Sequence, residues 1–218
     1  MTELETHLKH VNGFRRKQPI VHKGISGSGT NDVVWQVQWS KQGRVISVDP
    51  AYVVWKDAIG RCAPRGKTQS RCPTYKGCSV DPRWHNYSDF VPWWRANQVD
   101  GWQLDKDLLV PGNKVYGSDT CLFVPNWLNS FANTHTSYDR GLPAGVCIHK
   151  KNQAFVAQCS NPLLGKNEWL GSFSSALDAH LAWKSRKLQL AAKLKDKIDE
   201  IDCRLYNNIV SIISKGTE

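Results

Sequence analysis

Residues 103–129, QLDKDLLVPGNKVYGSDTCLFVPNWLN, carry the pattern on which the reading of this chain turns. A short stretch ending near Asp105 predicts a strand, and Pro111-Gly112-Asn113 predicts a loop. Residues 120–124 predict a second strand, followed by a helix that brings Asn129 back toward Asp105. A carboxylate and an amide oxygen suit a hard cation such as Mg2+, which prefers oxygen donors and keeps several waters. Asp107, two residues beyond Asp105, would share its strand face and could add a third donor. Lys106 would point to the opposite face and reach a phosphate only if a bulge or the strand end re-aimed it. A lysine acts as a general base only where burial or neighbouring cations lower its pKa; otherwise it is a phosphate contact. The two flanking carboxylates favour the contact. His85 and His135 are the fallback bases, and Asn113 and Lys114 in the loop are candidate DNA contacts.

Charge points to the same class of partner. The chain has 218 residues and a formal net charge of +10, with a pI near 9.3, which favours a polyanion such as double-stranded DNA. Basic residues cluster at Arg15-Arg16-Lys17, over 61–71, at Lys150-Lys151 and over 184–197. No apolar run approaches a membrane span and the first residues lack the apolar core of a signal peptide, so a cytoplasmic protein is expected. The cysteine count of 7 is odd and the spacing irregular, which reads as reduced thiols. A structural zinc on Cys62, Cys72, Cys78 and His85 is not expected, because there is no CxxC pair and no histidine at finger spacing.

Outward from the central stretch, the chain reads as α+β. Residues 1–30, which run into GISGSGTND (24–32), are expected to form a flexible arm. Alternation in VVWQVQW (33–39), a turn at Lys41-Gln42-Gly43-Arg44 and then VISV predict a hairpin with a four-residue turn. Residues 50–59 predict a helix with proline in its first turn, and 89–97 a second helix capped by Ser88 or Asp89. Trp84, Phe90, Trp93, Trp94 and Trp102 are so dense that a core is the better reading than a stacking platform. The polar segment 133–143 is a linker. Three strands are expected over 145–149, 154–159 and 168–173, then a long helix capped by Ser174 or Ser175. Its apolar stripe runs from Leu177 through Ile212 at spacings of three and four. Past Asp196 that stripe exceeds what a small sheet covers. Residues 196–218 are therefore expected to meet the N-terminal region or a partner, by self-association or contact with a host protein.

The ordered strings NDVVWQVQW, AYVVWKDAIGRC, PTYKGCSVDPRWHNYSDFVPWW, the 103–129 stretch, LPAGVCIHK, QAFVAQ and EWLGSFSSALDAHLAW resemble phage HNH-like homing endonucleases with a C-terminal AP2-type DNA-binding domain. The resemblance covers roughly residues 30–190. It implies an HNH-like ββα-metal nuclease domain over 31–132 and, over 144–195, an AP2-like three-stranded antiparallel sheet packed on a long helix. It also implies Asp105 and Asn129 as Mg2+ ligands, Lys106 at the general-base position with Asp105 as its catalytic neighbour, and Thr120 as a structural counterpart of the motif's middle Asn. In AP2 domains the sheet lies in the major groove. The matching positions are His149, Gln158, Ser160, Asn167 and Trp169, with Lys150 and Lys151 as phosphate contacts. The usual arginines are mostly missing, so a guanine-rich target does not carry over.

Three functions compete on these residues: a metal-dependent DNA endonuclease, a catalytically inactive DNA-binding or regulatory relative, and a phage protein that binds a host protein through its C-terminal helix.

Overall fold

The computed structural model describes residues 22–25 (backbone only), 28–63, 72–134, 141–150 and 153–215. Most of the expected arm, Lys151 and His135 lie outside the described residues. The chain is α+β, with small sheets, and packs as two compact units. One unit is Met1–Val99 with Asn113–Cys121, and the other is Asp100–Gly112 with Leu122–Glu218.

In the first unit, β1 (His22–Ile25) pairs antiparallel with β2 (Gly29–Asn31). The next hairpin joins β3 (Gln38–Lys41) to β4 (Arg44–Val48). Its turn is Gln42-Gly43, with φ of 50° and 75°. Two successive positive φ angles make a type I′ turn, whose twist matches the strands it joins. The turn is thus two residues long, where four were expected, and residues 33–37 precede the strand.

Helix α1 (Pro50–Cys62) starts where the Asp49 side chain accepts the Ala51 N–H at 3.0 Å. It buries Ala51, Trp55, Ala58, Ile59 and Cys62, and the Trp55 indole donates to the Trp84 carbonyl at 2.7 Å. Helix α2 (Tyr87–Asn97) has Asn86 at its N-cap without a side-chain cap bond. The first-turn N–H of Ser88 is satisfied instead by Asp32, whose carboxylate accepts the Ser88 N–H at 2.9 Å and hydroxyl at 2.6 Å. Neither Ser88 nor Asp89 is the cap that the local pattern suggested. Trp84, Tyr87, Phe90 and Trp94 are buried, so this aromatic density is core. The two-residue strands β5 (Ser79–Val80) and β7 (Val115–Tyr116) pair in parallel in the same unit.

The second unit begins with β6 (Trp102–Asp105), paired antiparallel with β8 (Leu122–Pro125) so that Asp105 faces Leu122 and Gln103 faces Val124. Helix α3 (Asn126–Ala132) follows directly. The strands β9 (Val146–Ile148), β10 (Phe155–Asn161) and β11 (Lys166–Phe173) form an antiparallel sheet in the order β11-β10-β9. Ser175 caps α4 (Ala176–Lys193), its Oγ accepting the Asp178 N–H at 3.0 Å. Gly145 precedes β9 with φ +76°, and a Cβ there would fall 2.0 Å from Trp183 Cγ. Only glycine both adopts that backbone and lets the helix approach so closely.

Two expectations are corrected by this packing. The stripe past Asp196 does not extend away from the fold. After α4 come a short helix α5 (Lys195–Asp199), a turn, and α6 (Leu205–Lys215). Helix α6 folds back and buries Leu205, Ile209 and Ile213 completely. These residues join one core with Val124, Leu128, Phe131, Val146, Ala157, Cys159, Ala179, Trp183 and Leu190. The apolar face assigned to self-association or a host protein is covered by the chain itself. The same core crosses the proposed boundary at 133–143, tying β8 and α3 to the C-terminal sheet. The segments 31–132, 144–195 and 196–218 are therefore not the packing units. Burial of shared apolar surface, not sequence order, sets the partition.

Candidate functional site

The strand that carries Asp105 ends at Asp105. Its carboxylate turns back on the chain, and Oδ1 accepts the N–H groups of Asp107 and Leu108, each at 2.7 Å. This side chain thereby closes the turn that leaves the strand, as Asp commonly does. Burial pushes the Asp105 pKa above the ordinary carboxylate value, opposed by those two N–H donors and by the charge of Lys106.

Lys106 is buried, with 3 % of its side chain exposed, and its ammonium pairs with Asp107 Oδ1. Both residues lie beyond the strand, so the period-two rule that placed Asp107 on the face of Asp105 and Lys106 on the other does not apply. Asp107 is held by Lys106 instead, and Lys106 faces inward where an exposed phosphate contact was expected. The loop they start is fixed from α6, where the Asn208 amide donates to the Leu108 and Leu109 carbonyls at 3.0 and 2.8 Å.

Asn129, on α3, donates through Nδ2 to Gln103 Oε1 at 2.8 Å. Gln103 and Asp105 alternate with the buried Leu104 and so share one strand face. That bond ties Asn129 to the strand that ends at Asp105. Oδ2 of Asp105 and Oδ1 of Asn129 are the oxygens left over from these bonds. Among the described residues, no group of three or more His, Cys, Asp or Glu is placed to hold a metal.

Asn113 and Lys114 belong to the first unit. The Asn113 amide is bonded to both ends of the Val115 residue, at 2.7 and 3.1 Å, and Lys114 Nζ donates to the Thr74 carbonyl at 2.9 Å. Thr120 Oγ1 donates to the Val115 carbonyl at 2.7 Å and so braces the same loop. His85 makes a 3.1 Å contact from Nε2 to the Val80 carbonyl.

The second candidate surface is the outer face of the three-stranded sheet. Phe155, Ala157 and Cys159 of β10 point to the helices and join or pack on the core. Val156, Gln158 and Ser160 consequently point the other way. Register places Gln158 opposite Trp169, Ser160 opposite Asn167, and Val156 between Cys147 and Ser172. Gln158, Ser160 and Asn167 are exposed, and Trp169 is 66 % exposed. A core role for Trp169 is excluded by that exposure, whereas Leu170 and Phe173 pack against the core as expected. His149 and Lys150 lie in the turn between β9 and β10, at the surface, closed by the His149 and Gln153 N–H bonds, both 2.9 Å.

Glu168, the inward neighbour of Trp169, fixes this sheet to α4. Arg186 donates to its two carboxylate oxygens at 2.7 and 3.0 Å, and the Asn161 amide adds a bond at 2.8 Å. These donors, Arg186 first, hold the Glu168 pKa down at about 2.

Gln103, Asn208 and Val156 were not singled out from sequence. Gln103 could have been found by its i−2 relation to Asp105 on a strand; Asn208 carries no local signal. Comparison with family models, curated proteins and solved structures finds no match to this chain. No described helix is long and apolar enough to cross a membrane.

Proposed function

We propose that this chain is a DNA-binding protein on the plan of HNH-like homing endonucleases. The outer face of the β9–β11 sheet binds duplex DNA, and the β6–β8–α3 unit supports metal-dependent phosphodiester cleavage. The observation that carries this reading is the sorting of β10 and β11: apolar side chains face the helices, while Gln158, Ser160, Asn167 and a largely exposed tryptophan occupy the opposite face. An exposed Trp ringed by amides and hydroxyls is suited to base edges, and a sheet of this size fits the major groove. The net charge of +10 supplies the attraction to phosphate.

At the hairpin, Asp105 and Asn129 would hold Mg2+, which when bound stabilises charge on the phosphate and the leaving oxygen. Gln103 orients the Asn129 amide so that its oxygen is presented. Lys106 acts from within, fixing Asp107 and the turn whose N–H groups orient Asp105. A second reading, a DNA binder without nuclease activity, is favoured by one observation: the residue at the general-base position is buried and ion-paired.

The deciding experiment is Mg2+-dependent nicking of supercoiled plasmid or source-genome DNA, with Asp105→Asn as control. Nicking by the wild type that the variant lacks supports the nuclease. Specific duplex binding without nicking by either selects the second reading, and absence of duplex binding overturns both.

A further inference from the structure

The outer sheet face is not flat. Beside Trp169 lies a hollow of about 530 Å3, lined by Cys147, Val156, Gln158 and Ser172 and reached by His149 and Lys150 at its rim. Val156 forms its apolar floor. It is only 4 % exposed although it points away from the core, lying between Cys147 and Ser172 in the register of the sheet. We propose that this hollow reads an A·T element in the major groove, Gln158 taking an adenine edge and the Val156–Trp169 wall a thymine methyl. The inference rests on the DNA-binding reading above and specifies its target.

The chemistry follows from what each base pair shows. In the major groove adenine offers N7 as an acceptor and N6–H as a donor. A carboxamide satisfies both at once, and the thymine methyl is the one apolar group displayed there. Gln158 has such a carboxamide, exposed and opposite Trp169 in register. Guanine, which shows two acceptors, is best met by Arg or Lys. Along β10 and β11 the outward positions from 156 to 160 and from 167 to 172 contain neither.

Spacing agrees as well. Residues two apart on a strand are about 6.6 Å apart, close to two base-pair rises of about 3.4 Å. Gln158 and Val156 can therefore address positions within one short element, with Trp169 alongside. Lys150, at the rim, is placed for the flanking phosphate, which positions the sheet without reading sequence.

The test has two stages, both with the full chain. Selection from a random duplex library should return sites sharing an A·T-containing element. On the selected duplex, 7-deazaadenine (N7 removed) and uracil in place of thymine (methyl removed) are then compared by fluorescence anisotropy. At the read positions the deaza change should weaken binding about tenfold, and the uracil change by a smaller factor. Gln158→Ala should bind weakly and lose its sensitivity to 7-deazaadenine while keeping its sensitivity to uracil. A structural role for Gln158 would not produce that selective loss.

A G·C consensus, or indifference to both base analogues on a duplex that is nonetheless bound specifically, overturns this inference and leaves the DNA-binding reading intact. Tighter binding to single strands than to any duplex also overturns it, by making Trp169 a stacking platform. Failure to bind any DNA removes the inference together with the reading beneath it.

Discussion

On β10 and β11, Gln158, Ser160, Asn167 and Trp169 lie exposed with their hydrogen-bonding groups turned outward. In the turn after β6 the polar groups are engaged with one another: Asp105 with two backbone N–H groups, Lys106 with Asp107, and Asn129 with Gln103. On the proposed function, the contrast separates recognition from chemistry. A recognition surface must be open to a partner whose groups complete its bonds. A reacting site has to be held in place before substrate arrives, and internal bonds do that. The two surfaces share one core, yet substitutions in one should be readable without disturbing the other.

The largest expected effect comes from Asp105→Asn. The amide keeps an oxygen to accept the Asp107 and Leu108 N–H groups but removes the charge that a cation needs. Cleavage should be abolished while DNA affinity stays within a small factor of wild type, as read by nicking and anisotropy on the same preparation. A thermal shift adds a check that does not depend on turnover. Asp105 has its pKa raised by burial, so its contribution to stability is fully present below the unfolded value of 3.8 and lost as pH rises through the folded one. At neutral pH the buried carboxylate is therefore a cost that a bound cation would offset. Mg2+ should raise the Tm of the wild type and leave that of Asp105→Asn unmoved. Equal shifts in the two would place the ion elsewhere.

Next in size is Trp169→Ala. With 66 % of the residue exposed, truncation opens no core cavity, and Tm should move by little. DNA affinity should fall about tenfold or more, as for an aromatic anchor at the centre of an interface. A large loss of Tm with unchanged affinity would return Trp169 to a structural role and collapse the distinction between the two surfaces.

These two residues also mark how far the sequence could be read. Trp169 was legible as a candidate through the resemblance to AP2 domains, whereas period two alone would have misassigned the end of β11, where the register shifts between Trp169 and Gly171 and Phe173 turns to the core. Ser175 was legible from local order, since a Ser three residues before Asp178 is a helix start. The surroundings of Asp105 were not. Whether a strand ends at residue 105 or 107 depends on which N–H groups its own side chain captures, and that reverses where Lys106 points.

The folding back of α6 was hidden for a different reason. Apolar spacing of three and four is the same in one long helix and in two antiparallel ones. The break contains neither Gly nor Pro, and its marker is Asp202, which accepts the Arg204 N–H at 2.9 Å before the run that begins at Leu205. The bonds from Asn208 to the Leu108 and Leu109 carbonyls join residues 100 and 99 positions apart, and no local pattern announces them.

A smaller effect should come from the lysines at 150 and 151. Binding should weaken with salt at a slope of about −0.9 per phosphate contacted. Replacing Lys150 and Lys151 together by alanine should make the plot of log affinity against log salt shallower by roughly two units, without changing the selected sequence. An unchanged slope would remove both lysines from the phosphate path. A changed consensus would mean that they read bases, contrary to a role confined to phosphate.

The smallest effect, and the sharpest in pH, concerns the inward neighbour of Trp169. Arg186 and Asn161 hold the Glu168 pKa at about 2, against an ordinary value of 4.5. A depressed carboxylate contributes stability that is present above the unfolded pKa and lost as pH falls through the folded one. Glu168→Gln should therefore be less stable than wild type at neutral pH by a modest margin, because the pair is partly solvated and screened by salt. The margin should narrow between about pH 4.5 and about pH 2, where the wild-type carboxylate protonates while Arg186 stays charged. Tm measured across that range checks the sign. A margin that instead widens toward low pH would mean that Glu168 is not what ties the sheet to α4. DNA affinity of Glu168→Gln is the accompanying measurement. If it falls as far as in Trp169→Ala, the outer face depends on this inward anchor for its shape. If it holds, the face is kept in place by the strand register and the packed side chains of β10.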